Sequence, residues 1–147
     1  MDLESLDTRT LGRYFEQLFV CKLLKLGFDI YTPLLDKGID FVLRSEVDKK
    51  SRYFEVQVKS SRKKGGRLTI RKDFFPEREN LFLVFFNVAE KTEAYVIPAK
   101  VVHSDFHSQV QNKKEILRLN VVHKDLEKIQ AYKWNWDSDE IPELWKG

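Results

Sequence analysis

Phe54-Glu55-Val56-Gln57-Val58-Lys59 is the stretch that decides the fold of this chain. Its apolar residues alternate with an acid, an amide and an amine, which is the period of a β-strand with one apolar and one polar face. A buried strand gains no stability from a row of such polar groups. A site for a hard cation does gain from them, because such ions take oxygen ligands and a nearby amine stabilises an anion. The stretch therefore predicts a strand that carries chemistry.

The sequence around this strand predicts a single α/β domain with a mixed sheet over residues 1–147. Residues 81–88 are nearly all apolar, which indicates a central strand buried on both faces. The other predicted elements are a helix over 8–27, an extended piece over 28–32, strands over 39–45 and 53–60 with a hairpin turn over 46–51, an extended piece over 67–71, a strand over 94–97, a short helix over 98–102, an edge strand over 115–122 and a terminal helix over 124–132.

The composition is that of an ordinary globular domain. The 147 residues are 42% hydrophobic and 33% charged, with a formal net charge of +3. There is no run of about 18 apolar residues, so we expect no membrane span. The acidic N-terminus lacks a signal-peptide pattern, which favours a cytoplasmic protein. Cys21 is the single cysteine, which excludes an internal disulfide, and its place in the first helix predicts a packing residue.

Charge is unevenly distributed along the chain. Seven basic residues and no acidic residue lie between Lys59 and Lys72, whereas residues 136–143 hold four acids and no base. A basic block on a nearly neutral protein is typical of a polyanion-binding surface. A solvated loop around Gly65-Gly66 is the alternative interpretation.

Two acids outside the deciding strand are candidate ligands. Glu16 lies at the border of the apolar stripe of the first helix, where it is either a ligand or a boundary residue paired with a lysine. Asp40 follows the turn Asp36-Lys37-Gly38 and begins a strand. It is either an anchoring carboxylate for Mg²⁺ or a turn aspartate.

Histidines and tryptophans add weaker signals. His103 and His107 are four residues apart, but without a surrounding zinc pattern they are expected to be surface or capping residues. Trp134, Trp136 and Trp145 predict a terminal arm that packs onto the domain or onto a second copy.

Together these motifs resemble those of the PD-(D/E)XK nuclease superfamily. The resemblance covers Glu16, Gly38-Ile39-Asp40-Phe41 and the segment from Glu55 to Ser61, about a third of the chain. More narrowly, the pattern is similar to the Holliday-junction-resolvase-like and Mrr-like branches, in which the second motif often reads Gln-x-Lys. The resemblance implies a restriction-endonuclease-like fold, an α/β domain whose mixed central sheet is flanked by helices.

The resemblance also implies roles for individual residues. Asp40 matches a direct metal ligand, and the Val58 backbone carbonyl would be another. Glu16 matches the helix acid that some branches use as an additional ligand. Lys59 matches the lysine that stabilises charge at the scissile phosphate or orients the attacking water. The implied cofactor is Mg²⁺, with Mn²⁺ as an alternative.

Gln57 departs from the family pattern, because it stands where an Asp or Glu ligand usually sits. Its amide oxygen can coordinate a hard cation but brings no charge, and Glu55 or Glu16 can supply the missing charge. Two interpretations therefore stay open. One is a metal-dependent DNA endonuclease, and the other is a catalytically weak or inactive nuclease-fold module that binds nucleic acid or a protein partner. A purely structural or partner-binding protein is a third.

DNA is the expected partner under the first interpretation. The candidate phosphate contacts follow Lys59 directly and are Ser60, Ser61, Arg62, Lys63, Lys64 and Arg67. Such contacts position a nucleic acid without reading its sequence. A homodimer and a separate targeting protein are both compatible with a domain of this size.

Overall fold

A computed structural model of the protein describes residues 2–62 and 66–146. Three α-helices are present in these ranges, namely α1 (Thr8–Lys25), α2 (Ala99–Asp105) and α3 (His123–Glu127). The strands are β1 (Asp29–Tyr31), β2 (Phe41–Val47), β3 (Lys50–Arg62), β4 (Arg67–Arg71), β5 (Leu81–Val88), β6 (Glu93–Pro98), β7 (His107–Gln111), β8 (Lys114–Asn120) and β9 (Lys133–Trp134).

The central sheet has six strands in the order β1-β2-β3-β5-β6-β9. β3 and β5 are parallel, and the other neighbours are antiparallel, so the predicted mixed sheet is confirmed. Every residue of β5 is buried, as expected for its unbroken apolar run. The β2–β3 hairpin turns through Asp48 and Lys49, whose φ angles of 53° and 65° match the two-residue turn that suits twisted strands.

Helix α1 covers one face of the central sheet. Its first turn is capped by Asp7, whose carboxylate accepts a hydrogen bond from the Thr10 N–H at 2.8 Å. Its buried residues recur every four positions and pack against the apolar side of β3 and against β5; they are Leu11, Phe15, Phe19 and Leu23. The apolar half of the deciding strand, Phe54, Val56 and Val58, belongs to this first core.

A second, three-stranded sheet covers part of the opposite face. Its order is β4-β8-β7, and both strand pairs are antiparallel. Together with α2 it encloses a second core against β5 and β6. The prediction of a single sheet with 115–122 at its edge was wrong, because β8 is the centre of this second sheet. A two-residue turn at Asn112 and Lys113, with φ of 51° and 64°, joins β7 to β8.

Two further expectations were wrong in detail. Cys21 is exposed, since it follows Phe19 by two residues and therefore lies about 200° around the helix from the apolar stripe. The terminal helix predicted over 124–132 is divided into α3 and a single 3₁₀ turn over Gln130–Tyr132.

The histidines do not share a helix face. His103 lies in α2, with its Nε2 atom 2.6 Å from the Phe75 carbonyl oxygen. His107 begins β7 and contacts the buried Asp125 carboxylate at 3.2 Å. In the ranges that the structure describes, no helix has both the length and the apolarity needed to cross a membrane.

The aromatic arm packs onto the domain, as predicted. Trp134 and Trp145 are buried in the first core, and Trp136 packs against it. The Trp145 ring is 1% exposed. It lies within ring-centroid distances of 5.6–6.3 Å of four aromatic rings, those of Phe19, Phe28, Phe54 and Phe82.

Trp145→Ala is therefore expected to lower the free energy of unfolding by about 3–5 kcal/mol, because it leaves a large cavity among these rings. The neighbouring Leu144 is 42% exposed, so Leu144→Ala is expected to cost about 0.5 kcal/mol or less. Urea unfolding followed by circular dichroism measures both values. Equal costs for the two variants would show that the arm does not stabilise the core.

Candidate functional site

Asp40 stands where β2 begins to pair with β3. Its N–H donates to the Val56 carbonyl oxygen at 2.9 Å, and its carboxylate Oδ2 accepts from the Val58 N–H at 2.7 Å. These two bonds hold the carboxylate beside Gln57, the residue between them in β3. Gly38 has a φ of 92°, and a Cβ at that position would collide with the Phe74 backbone. The turn before Asp40 therefore requires glycine.

The ionised form of Asp40 is disfavoured in this position. Burial is the main cause, and it raises the pKa of Asp40 to about 6. The Val58 hydrogen bond opposes this effect, and the nearby negative charge of Glu16 adds to it. A bound cation would reverse the balance, because it favours the ionised carboxylate.

Glu16 shares a cavity with Asp40. The cavity has a volume of about 940 Å³ and lies between the N-terminal half of α1 and the segment that leads to Asp40, including Thr32, Pro33 and Leu34. The Glu16 side chain is 24% exposed and pairs with Arg13 at 3.1 Å. The boundary ion pair considered from sequence therefore exists, with an arginine instead of a lysine. It leaves Glu16 at the cavity wall.

Gln57 is a buried polar residue whose hydrogen bonding is incomplete. It is 8% exposed, and its amide oxygen Oε1 is buried without a hydrogen-bond partner. An unpaired buried acceptor costs about 1–3 kcal/mol, so such an atom calls for a missing partner. A cation beside Asp40 would provide one.

The Val58 carbonyl lies on the same side of β3 as the Asp40 carboxylate. This follows from the Val58 N–H, which donates to Asp40, since the N–H and C=O of one strand residue point in the same direction. The predicted backbone ligand is therefore compatible with the geometry.

Lys59 follows on the same strand face as Gln57. Its positive charge lowers the pKa of Asp40 against the larger effect of burial. It is half-buried, and among the described residues it makes no ion pair within 4 Å. The amine is therefore available to an anionic ligand.

Glu55 has a different environment. Its carboxylate pairs with Arg78 Nε at 3.3 Å, and its N–H donates to the Asn80 carbonyl at 2.8 Å. Like Gln57 and Lys59, it does not line the cavity that Glu16 and Asp40 share, but unlike them it has an ion-pair partner among the described residues. Of the two acids considered as a replacement charge, the structure places Glu16 with Asp40 and directs Glu55 to Arg78.

The residues predicted to contact phosphate differ in exposure and in hydrogen-bond partners. Ser60 is half-buried, and Ser61 is 8% exposed with its hydroxyl 3.5 Å from the Arg62 carbonyl. The Arg62 guanidinium donates to the Leu6 carbonyl and so ties β3 to the segment before α1. Arg67 is exposed. Lys63 and Lys64 lie outside the described residues.

The donor set fits a hard cation. The Asp40 and Glu16 carboxylates, the Gln57 amide oxygen and the Val58 carbonyl are all oxygen donors, which Mg²⁺ and Mn²⁺ prefer. The described ranges contain no group of three or more His, Cys, Asp and Glu able to hold a metal. A metal here would therefore depend on the amide and the backbone as well as on the two acids.

Sequence reasoning missed three residues around the site. Arg13 pairs with Glu16, Arg78 pairs with Glu55, and the charge of Asp36 raises the pKa of Asp40 slightly. Asp36 could have been found, because it opens the turn that leads to Asp40. The sequence contains no signal that Arg78 pairs with Glu55, which lies more than 20 positions away.

Comparisons with known proteins identify the fold. No protein-family model and no curated protein matches the chain. Among solved structures, the bacterial homing endonuclease I-Ssp6803I is 27% identical, with a TM-score of 0.52 over 89% of this chain and 90% of that one. Hjc, a Holliday junction resolvase of Archaeoglobus fulgidus, is 15% identical, with a TM-score of 0.45 over 72% of this chain and 82% of that one. With its mixed central sheet, the chain is a restriction-endonuclease-like protein of the PD-(D/E)XK-like nuclease superfamily.

Proposed function

We propose that this protein is a metal-dependent DNA endonuclease that hydrolyses phosphodiester bonds. The observation that carries the proposal is the unpaired Gln57 oxygen beside an Asp40 carboxylate whose ionised form is disfavoured. A bound cation would both coordinate the Gln57 oxygen and favour the ionised Asp40 carboxylate. The likeness to I-Ssp6803I, a homing endonuclease, over nine-tenths of both chains supports the choice of reaction and of DNA as substrate.

The residues that would hold Mg²⁺ or Mn²⁺ are Asp40, Glu16, Gln57 and the Val58 carbonyl. When bound there, the ion would neutralise charge on the phosphodiester and lower the pKa of a coordinated water. Asp40 is positioned for this by two backbone bonds, so its carboxylate needs little reorganisation.

Glu16 makes up for the neutral Gln57. Two carboxylates and one amide present two negative charges to a divalent cation, which is within the usual requirement of Mg²⁺ for one or two carboxylates. The ion pair with Arg13 partly offsets the negative charge of Glu16. This effect is weak, because the arginine side chain is 75% exposed and solvent screens the pair.

Lys59 would act on the phosphate. An amine near the bound phosphodiester stabilises the negative charge that develops on its oxygens as the water attacks. Because Lys59 makes no ion pair with the described residues, its charge is not already neutralised by the protein.

The second candidate is a nuclease-fold module that binds nucleic acid or a protein but does not cleave. The neutral Gln57 favours it, because one fewer negative charge weakens metal binding and activation of water. A homodimer and a targeting partner remain predictions under both candidates.

The Asp40→Asn variant tests the disfavoured carboxylate. Because the pKa of Asp40 is raised in the folded state, the free energy of unfolding of the wild type falls as pH rises from the unfolded pKa of aspartate to about 6. The Asp40→Asn variant has no carboxylate at this position and lacks this pH dependence. Between pH 4 and 7.5 without metal, the wild type should therefore lose about 1–3 kcal/mol relative to Asp40→Asn. Saturating Mn²⁺ should restore the wild type and leave the variant unchanged. Thermal unfolding across pH measures this, with the exposed Asp137→Asn as control. Parallel pH curves for wild type and Asp40→Asn would contradict it.

Glu16→Gln and Glu55→Gln separate the two candidate acids. Glu16→Gln should weaken Mn²⁺ binding by about tenfold or more, since it removes one of two charges at the ion. Glu55→Gln removes an ion pair outside the cavity, so it should leave Mn²⁺ affinity within about twofold. Isothermal titration calorimetry gives both affinities. The reverse ranking would assign the metal to Glu55.

Cleavage tests the activity itself. Supercoiled, linear, single-stranded and branched DNA are incubated with the protein and Mg²⁺ or Mn²⁺. The wild type should cleave at least one of them, and Asp40→Asn and Lys59→Ala should each lose about 10²-fold or more in rate. Lys100→Ala is the matched control, because Lys100 is exposed on α2 and does not line the cavity that Asp40 and Glu16 share. Binding without cleavage would favour the second candidate.

A further inference from the structure

The second sheet presents a polar and cationic face away from the core. Leu68, Ile70, Leu117 and Leu119 point into the second core, so the residues between them in β4 and β8 point outward. Residues paired across an antiparallel ladder point to the same side of the sheet. The β7 residues that pair with outward residues of β8 therefore also point outward. The ten outward positions are Arg67, Thr69, Arg71, His107, Gln109, Gln111, Lys114, Ile116, Arg118 and Asn120.

These positions form rows across the three strands. Of the four rows, the two central ones span all three strands: one joins Thr69, Arg118 and His107, and the other joins Arg71, Ile116 and Gln109. None of the ten outward residues is acidic, and Ile116 is the single apolar one. Its side chain is nearly covered, at 4% exposure, so the surface that remains is cations, amides and a hydroxyl.

Two of the basic residues on this face already have partners. Arg71 pairs with Asp73 at 2.7 Å, and His107 contacts the buried Asp125 carboxylate at 3.2 Å. Arg67, Lys114 and Arg118 make no ion pair within 4 Å among the described residues.

Arg118 is also incompletely hydrogen-bonded. It is central in the sheet, and its Nε–H is buried without a hydrogen-bond partner. A solvated sheet face ordinarily intersperses both signs of charge, whereas no outward residue here is acidic, and the nearby Asp73 is paired with Arg71 while its pKa is also lowered by the charge of Lys114.

We infer that this outward face is a docking surface for double-stranded DNA. The choice of polyanion rests on the proposed function, and the surface itself rests on the register and charges above. A β-ribbon fits the major groove, where cations contact phosphates and amide or hydroxyl side chains meet base edges. Arg67 and Lys114 lie at opposite ends of the face and supply phosphate contacts. Thr69 and Gln109 supply hydrogen-bonding groups between them.

The face is connected to the Asp40 site through a tight contact. β4 runs directly into the 3₁₀ turn Lys72–Phe74, and the Phe74 backbone abuts Gly38, two residues before Asp40. Arg71 also lies over the Phe74 ring, 4.0 Å from its centroid. DNA held by the sheet is therefore held by an element in direct contact with the turn that positions Asp40.

The test is binding of a fluorescent 30-base-pair duplex in EDTA, followed by anisotropy over a series of salt concentrations. Without metal, binding is measured whether or not the protein cleaves, so failure of the proposed activity and failure of this surface give different results. Arg67→Ala combined with Lys114→Ala should weaken binding about tenfold or more and reduce the slope of log K against log salt by about 1.8. Lys91→Ala combined with Lys100→Ala is the control, since both are exposed lysines outside the sheet face and should change neither value.

Gln109→Glu provides a second variant that keeps side-chain size and removes no cation. It places a negative charge on the outward face and should weaken duplex binding by a similar factor, with an unchanged melting temperature. The inference is overturned if both sheet variants bind the duplex as the wild type does. It is also overturned if the wild type binds no duplex at low salt, or binds a single strand of the same sequence equally well.

Discussion

The hydrogen bond from the Val58 N–H to the Asp40 carboxylate is the interaction on which the site depends. A side-chain oxygen occupies a position on the β2 side of β3, at the point where the two strands begin to pair. This places a charged group inside the sheet layer instead of on its surface. Burying the carboxylate there has an energetic cost, visible in the pKa of about 6 for Asp40. A residue that lowers stability in this way is typical of a functional site.

β3 can carry a polar site because its two faces have different environments. Phe54, Val56 and Val58 pack under α1, and that packing fixes the strand against the first core. The opposite face is then free to carry Glu55, Gln57 and Lys59. The second sheet covers the neighbouring β5 and β6 on this side, which partly buries the polar row without filling it with apolar contacts. Gln57 is buried and Lys59 is half-buried, so it is costly to leave the amide oxygen or the amine without a partner.

Much of this arrangement could be predicted from the sequence, because local periodicity determined it. The alternation from Phe54 to Lys59, the four-residue stripe of α1 and the apolar run of β5 each indicated the correct element. The second sheet was missed because β7 is short and polar, so its sequence lacks the apolar alternation that predicts a strand. Its signal was the Asn112-Lys113 turn. The different environments of Glu16 and Glu55 could not be predicted, since Glu55 pairs with Arg78, which reaches it only in the folded chain.

The packing of Trp145 among Phe19, Phe28, Phe54 and Phe82 also has a kinetic consequence. Phe19 and Trp145 lie in α1 and in the terminal arm, so the first core joins segments from the two ends of the described sequence. Chains that depend on such distant contacts, and on a parallel pair such as β3 and β5, lose loop entropy before they gain stability. The first core should therefore close late in folding. The alignment of Glu16 on α1 with Asp40 beside β3 would then be among the last features of the native state to form.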